Sequence, residues 1–264
     1  MSDPVLVDGR SLRIGGVEAV ARHGAGVAFE DSARTKVAQA RRVVEGILDS
    51  GKVVYGVNTG FGKLADVRIS PDQLDQLQLN LLRSHACGVG EPFAEDVVRA
   101  MLLLRANVLA TGHAGCRPLV VDRILEFLEA GVHPVVPSRG SVGASGDLAP
   151  LAHLALVLVG EGEAIFQGER QDGGTALERA GIEPLQLGAK EGMGLVISQT
   201  LAGRSGNRGV CAQICRHRFG GGRGNRRCDG HPGISGVGVE GGEPGAAGCR
   251  VVPAGLTNWS RSHR

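Results

Sequence analysis

The chain has 264 residues, 42% hydrophobic and 3% aromatic, with a formal net charge of +2. That length buries a substantial core in one or two domains, and a single Trp and a single Tyr make an aliphatic core necessary. The most apolar run, Leu148 to Val159, carries Pro150 and His153 and is too short to span a bilayer.

No N-terminal segment pairs a charged start with an apolar run, so no secretory leader is expected and the cytoplasm is the expected compartment. Of the six Cys, Cys87 and Cys116 lie in the first part and four in the last 64 residues. Intracellular thiols are normally reduced, so no disulfide framework is read here. The near-neutral charge hides an asymmetry: residues 201–264 hold 10 Arg, no Lys and three acids.

In chain order, Val5 to Val7 reads as a strand. Asp31 or Ser32 is the expected cap of a helix with Val37, Ala40, Val43, Val44, Ile47 and Leu48 at helical spacing, ended by Gly51. Val53 to Tyr55 reads as a second strand. Ser70-Pro71-Asp72-Gln73 combines a cap, a Pro at the first helical position and a Gln three residues after the cap. Leu74, Leu77, Leu81 and Leu82 then supply one apolar face. Further helices are expected from about Ala94 to Ala110 and from Pro118 to Ala130. In the first, Val97, Val98, Met101, Leu104, Val108 and Leu109 point inward; Gly131 stops the second. The helix after residue 147 is apolar nearly all round and should be buried. Ala164 to Gln167 reads as a strand. The fold class is therefore mainly α with minor β over residues 1–196. Residues 197–264 form a second region, an irregular Gly/Arg-rich tail with 16 Gly beyond residue 200. Such a composition buries too little apolar surface to offset the entropy of ordering its backbone.

Three segments carry chemistry. In Gly140-Ser141-Val142-Gly143-Ala144-Ser145-Gly146-Asp147-Leu148-Ala149-Pro150, small residues let the backbone fold back on itself. Attack of the Gly146 nitrogen on the Ala144 carbonyl, with loss of that water and of the Ser145 hydroxyl, gives 4-methylideneimidazol-5-one, an electrophile built from protein alone. The plainer reading is a small-residue turn leading into a helix. Asp147 suits the positive end of that helix in either reading. Tyr55-Gly56-Val57-Asn58-Thr59-Gly60-Phe61-Gly62 is a glycine-rich loop. It is not a phosphate-binding loop, because Gly62-Lys63 is followed by Leu64. Ser84-His85-Ala86-Cys87-Gly88-Val89-Gly90-Glu91-Pro92 follows the leucine-faced helix.

Together these segments, in this order, resemble the aromatic amino acid ammonia-lyases, from the N-terminus to about Leu195. The resemblance implies non-oxidative deamination of an amino acid, and points most closely to L-histidine giving trans-urocanate and ammonia. It implies the self-derived ring at Ala144, Ser145 and Gly146, and no metal. Tyr55 is placed against the substrate in proton handling or orientation. By the same resemblance His85 is expected to contact the substrate side chain, with Asp147 and Asn58 in support. Phenylalanine-specific relatives carry apolar residues at the position of His85, so this residue favours histidine first and tyrosine second. A tyrosine or phenylalanine ammonia-lyase or aminomutase remains the alternative. So do the plainer roles, with Tyr55 anchoring its loop and His85 bonding to backbone carbonyls at its helix end. His153 reads as a satisfied core histidine.

Family enzymes form homotetramers and draw a second tyrosine and a carboxylate-binding arginine from a longer second half. The chain as written is therefore expected to be a truncated and inactive front part. The family pattern Lys-Glu-Gly followed by Asn-Gly-Thr breaks here: Lys190-Glu191-Gly192 is present, but Ile197 stands where Asn is expected. Together with only four Lys, the tail reads as out-of-frame translation of GC-rich coding. Two other readings of the tail place it in a non-catalytic class. Cys211, Cys215, His217, Cys228 and His231 offer zinc-ligand types at spacings that match no established motif. The run from Arg216 to Gly224 is similar to arginine- and glycine-rich nucleic-acid segments, with a single Phe for stacking.

Overall fold

A computed structural model describes residues 3–141 and 146–197. Ala144, Ser145 and the tail's zinc-ligand and arginine–glycine segments lie outside the described residues.

The N-terminal layer pairs β1 (Val5–Val7) in parallel with β2 (Val27–Phe29) across α1 (Ile14–His23). α2 (Asp31–Asp49) follows. Its cap is neither Asp31 nor Ser32: the Ala33 amide donates to Glu30 Oε2 at 2.8 Å, so the longer acid one residue earlier satisfies the first turn. Val53 to Tyr55 is not a strand either. The Val54 amide donates to Asn58 Oδ1, and the Val57 and Asn58 amides fold back to the Val54 carbonyl, which makes a turn. Ser70-Pro71 opens a 3-10 turn before α3 (Leu74–His85) begins. The buried face of α3 contains Gln78 beside Leu74, Leu81 and Leu82, while Leu77 is only partly covered.

β3 (Val89–Pro92) leads to α4 (Glu95–Ala110), then α5 (Pro118–Ala130), β4 (His133–Pro134) and β5 (Pro137–Arg139). α6 (Leu148–Leu158) precedes the hairpin β6 (Glu163–Phe166) and β7 (Glu169–Asp172), followed by α7 (Gly173–Ala180) and α8 (Glu191–Val196). β3 pairs antiparallel with β5, and β4, β6 and β7 form a sheet in that order.

Two helices organise the core. α4 packs against α1, α2 and α5, and α6 packs against α3, α7 and α8. α4 buries almost every side chain, two arginines included. Arg99 donates through Nε and a terminal nitrogen to the Val20 carbonyl near the end of α1, and through its other nitrogen to the Leu128 carbonyl of α5. Arg105 reaches the carbonyls of Gly194 and Ile197 at the end of α8. Helix C-termini leave carbonyls without intrahelical partners, and a cation matches their partial charge. Burial nevertheless pulls the Arg105 pKa down to about 10. α6 is apolar all round, and its buried residues run nearly unbroken from Ala149 to Leu158, as its composition requires.

Candidate active site

Ser141 and Gly146 are the described residues on either side of 142–145. On one side the Ser141 hydroxyl donates to Asp147 Oδ1 at 2.5 Å, and Asp147 is fully buried. Asp147 does occupy the N-cap position of α6, yet no side-chain capping bond forms. Its carboxylate is turned to Ser141 instead, which corrects the expectation of a simple cap. On the other side Gly146 is buried with φ +101°, a conformation that L side chains rarely adopt. At the base of the segment a Cβ on Gly140 would lie 3.1 Å from the Ala149 side chain and 3.2 Å from Gly88 Cα. The described residues therefore fit a cyclised backbone: small, tightly seated flanks at the N-terminus of an apolar helix.

His85 closes α3. Its Nδ1 lies 2.9 Å from the Leu81 carbonyl and 3.1 Å from the Ser84 hydroxyl. A carbonyl only accepts, so Nδ1 carries a proton, and in the neutral ring Nε2 is then the acceptor. The helix-end bond thus uses Nδ1 alone. From His85 the chain turns through Gly88 into β3, where Val89 pairs with Arg139. This pairing sets the histidine-bearing loop beside Gly140. The Gly88 amide also donates to His153 Nε2 at 3.0 Å, so His153 bridges α6 to that loop rather than resting inside the core.

Tyr55 is exposed, at 58% of its surface, and belongs to the turn that Asn58 staples. The buried Asn58 accepts from the Val54 amide at 2.8 Å and donates to the Lys52 carbonyl at 2.7 Å. Asn58 therefore shapes the loop through its own backbone. Gly56, at φ +72°, lets this loop close on α8: a Cβ there would sit 2.7 Å from Met193 Cε. α8 in turn packs against α3 and α6, so one short helix touches the supports of all three motif segments.

What holds α8 is Glu191, fully buried. Its Oε1 accepts from the Arg117 amide at 2.9 Å and from Arg117 Nε at 2.8 Å. Its Oε2 accepts from a terminal Arg117 nitrogen at 2.6 Å and from the Gly188 amide at 2.8 Å. Four N–H donors on one carboxylate offset the cost of burying its charge. Sequence reasoning passed over Ser141, Met193 and the task of Glu191. Only the Lys190-Glu191-Gly192 motif hinted at the last of these. Among the described residues no cluster of three or more His, Cys, Asp or Glu could hold a metal, and no helix is long and apolar enough to cross a membrane.

Residues 12–203 match the family model described as aromatic amino acid lyase. Histidine ammonia-lyase of Geobacillus thermodenitrificans is 57% identical over 192 residues, covering 73% of this chain and 38% of that enzyme. Among solved structures, histidine ammonia-lyase from Trypanosoma cruzi superposes with a TM-score of 0.70 at 41% identity, covering 75% of this chain and 38% of that one. Tyrosine aminomutase from Streptomyces globisporus gives 0.71 at 39% identity, covering 75% and 37%. The chain thus spans well under half the length of the relatives it matches.

Proposed function

Because this chain belongs to the aromatic amino acid lyase family, we propose that its residues 1–196 are the N-terminal region of an enzyme that removes ammonia from L-histidine to give trans-urocanate. The observation that carries the reading is the β3–β5 pair, which brings the His85 loop beside the strand that leads into Gly140.

The difficulty of the reaction is twofold: an unactivated amine leaves poorly, and the β-proton is weakly acidic. The imidazolone at Ala144, Ser145 and Gly146 would supply an electrophilic carbon that activates the substrate. The chain's own residues do the rest. The N-terminus of α6 places its positive end at this segment and favours developing negative charge there. Ser141 and Asp147 hold the segment's flanks. His85 Nε2 accepts the N–H of a substrate imidazole, and a phenol O–H would serve equally, but a phenyl ring offers it no donor. Tyr55, with its hydroxyl in reach of solvent, handles or orients the proton in transfer. The same Nε2 keeps a tyrosine-acting lyase or aminomutase as the second reading, which the likeness to tyrosine aminomutase also favours.

The remaining groups of the reaction are assigned to the portion of the relatives that this chain does not match. The 264 residues alone are accordingly expected to release no urocanate. Homotetramer assembly and a cytoplasmic location belong to the same proposal. The test grafts residues 1–196 onto the corresponding remainder of the Geobacillus thermodenitrificans enzyme. Urocanate absorbance from L-histidine, an intact mass lower by two waters and loss of both in Ser145→Ala support the reading. A folded chimera that deaminates tyrosine in preference overturns the substrate. One that retains both waters overturns the chemistry.

A further inference from the structure

The loop from His85 to Pro92 has weak local support. Every residue of β3 is exposed, and its pairing with β5 shifts register between Val89 and Pro92. A two-stranded ribbon of this kind is marginal on its own. Yet the backbones of Gly88 and Gly140 approach so closely that neither has room for a Cβ without displacing a neighbour. Something must tie this ribbon to the buried helix behind it, and among the described residues the side-chain bond to the Gly88 amide comes from His153.

We propose that His153 is a positioning residue: held as the Nδ1–H tautomer, its Nε2 clasps the Gly88 amide and fixes the His85 loop against Gly140 and α6. The tautomer follows from the geometry. A backbone amide can only donate, so the ring nitrogen 3.0 Å away must be unprotonated, and a neutral ring then carries its hydrogen on Nδ1. A Cβ on Gly88 would lie 3.1 Å from that nitrogen and 3.3 Å from the Arg139 carbonyl. The glycine is thus required for the ring to reach the amide. His153 also lines a cavity of about 490 Å³ with Arg83, Glu91, Glu163 and Arg170. Of these, Arg83 is engaged by Glu161 and Arg170 by Glu163. Among the described residues no ion pair reaches the imidazole, whose bond is to the Gly88 amide. A charged ring would lose the acceptor and release the loop. The inference rests on the proposed deamination only for what the loop is for; the clasp itself is independent of it.

The full chain, labelled with nitrogen-15 in its histidines and glycines, tests this without turnover. Long-range proton–nitrogen spectra should show His153 protonated at Nδ1. His153→Phe, which fills the space without an acceptor, should speed exchange of the Gly88 amide roughly tenfold and move the His85 ring signals. His153→Gln, whose side-chain oxygen reaches the place of Nε2, should restore both. A proton found on Nε2 overturns the proposal, as does unchanged Gly88 exchange or an unmoved His85 signal in the Phe variant. If the Phe variant does not fold, the tautomer of the parent and the retained Gly88 protection in the Gln variant decide alone. Because none of these readouts involves substrate, their failure is distinct from failure of the deaminase reading.

Discussion

Replacing Glu191 with Gln keeps the volume of the side chain and one of its two oxygens, and inverts the other from acceptor to donor. In the folded chain each oxygen receives two N–H groups, three of the four from Arg117 and one from Gly188. The amide group of Gln would face two of these donors with its own hydrogens. Each buried donor left unsatisfied costs about 1–3 kcal/mol. The Arg117 side chain keeps 35% of its surface in solvent and can recover part of this in water. The expected loss is therefore about 3 kcal/mol, and about 3–5 kcal/mol for Glu191→Ala, which removes both oxygens. With a urea dependence of about 2 kcal/mol per molar, the Gln variant should unfold about 1.5 M earlier in urea by circular dichroism. The exposed pair Arg179–Glu169 supplies the contrast: Glu169→Gln should move the midpoint by no more than about 0.3 M. A Glu191→Gln midpoint as close to the parent as that of Glu169→Gln would refute the clasp that holds α8.

Gly56→Ala should destabilise by about 1–3 kcal/mol, because its φ of +72° is strained for alanine and the new carbon meets Met193; adding Met193→Ala should recover the steric share, read as a partial return of the urea midpoint. Ser141→Ala removes the donor to buried Asp147 and should cost about 1.5–3 kcal/mol, with Ser141→Thr restoring most of it; equal midpoints for the two variants would exclude the bond. Burial pulls the pKa of both His133 and His153 below the ordinary 6.5, with Glu95 opposing and Arg99 assisting the shift at His133. The unfolded chain then binds protons more readily, so their contribution is complete above about pH 6.5 and fades as pH falls through the depressed native midpoints. Urea midpoints at pH 7.5 and 5.5 should differ in that direction, and replacing both histidines with Gln should flatten the difference.

The elements legible in the sequence are those whose pattern is local. Pro118 and Gly131 bound α5 as read, with Gly131 in the left-handed conformation that ends helices. The apolar run after Asp147 becomes the buried α6. What was not legible depends on partners distant in the chain. Gln78, Arg99 and Arg105 interrupt apolar stripes, and periodicity alone turns such residues outward. They stay inside because the Met193 amide finds Gln78, and the carbonyls of Val20, Leu128 and Gly194 find the two arginines. The turn at Val53–Tyr55 escaped for the same reason on a smaller scale. Its β-branched run favours a strand, and the Asn58 side chain overrides it. At the candidate site the motif segments stand out in the sequence, but the atoms that support them do not. Ser141 looked like one more small residue, and His153 like packing.

The bond between Ser141 and Asp147 has a temporal consequence. Short loops are closed at an entropic cost that an unfolded chain must meet afresh at each encounter. Here the closing partner is buried at the head of α6, so the two flanks reach their native separation only once that helix has docked. Any backbone cyclisation between them then follows folding rather than accompanying synthesis. Its half-time, read from the growth of ultraviolet absorbance after cell-free synthesis, would then be a clock for the arrival of α6.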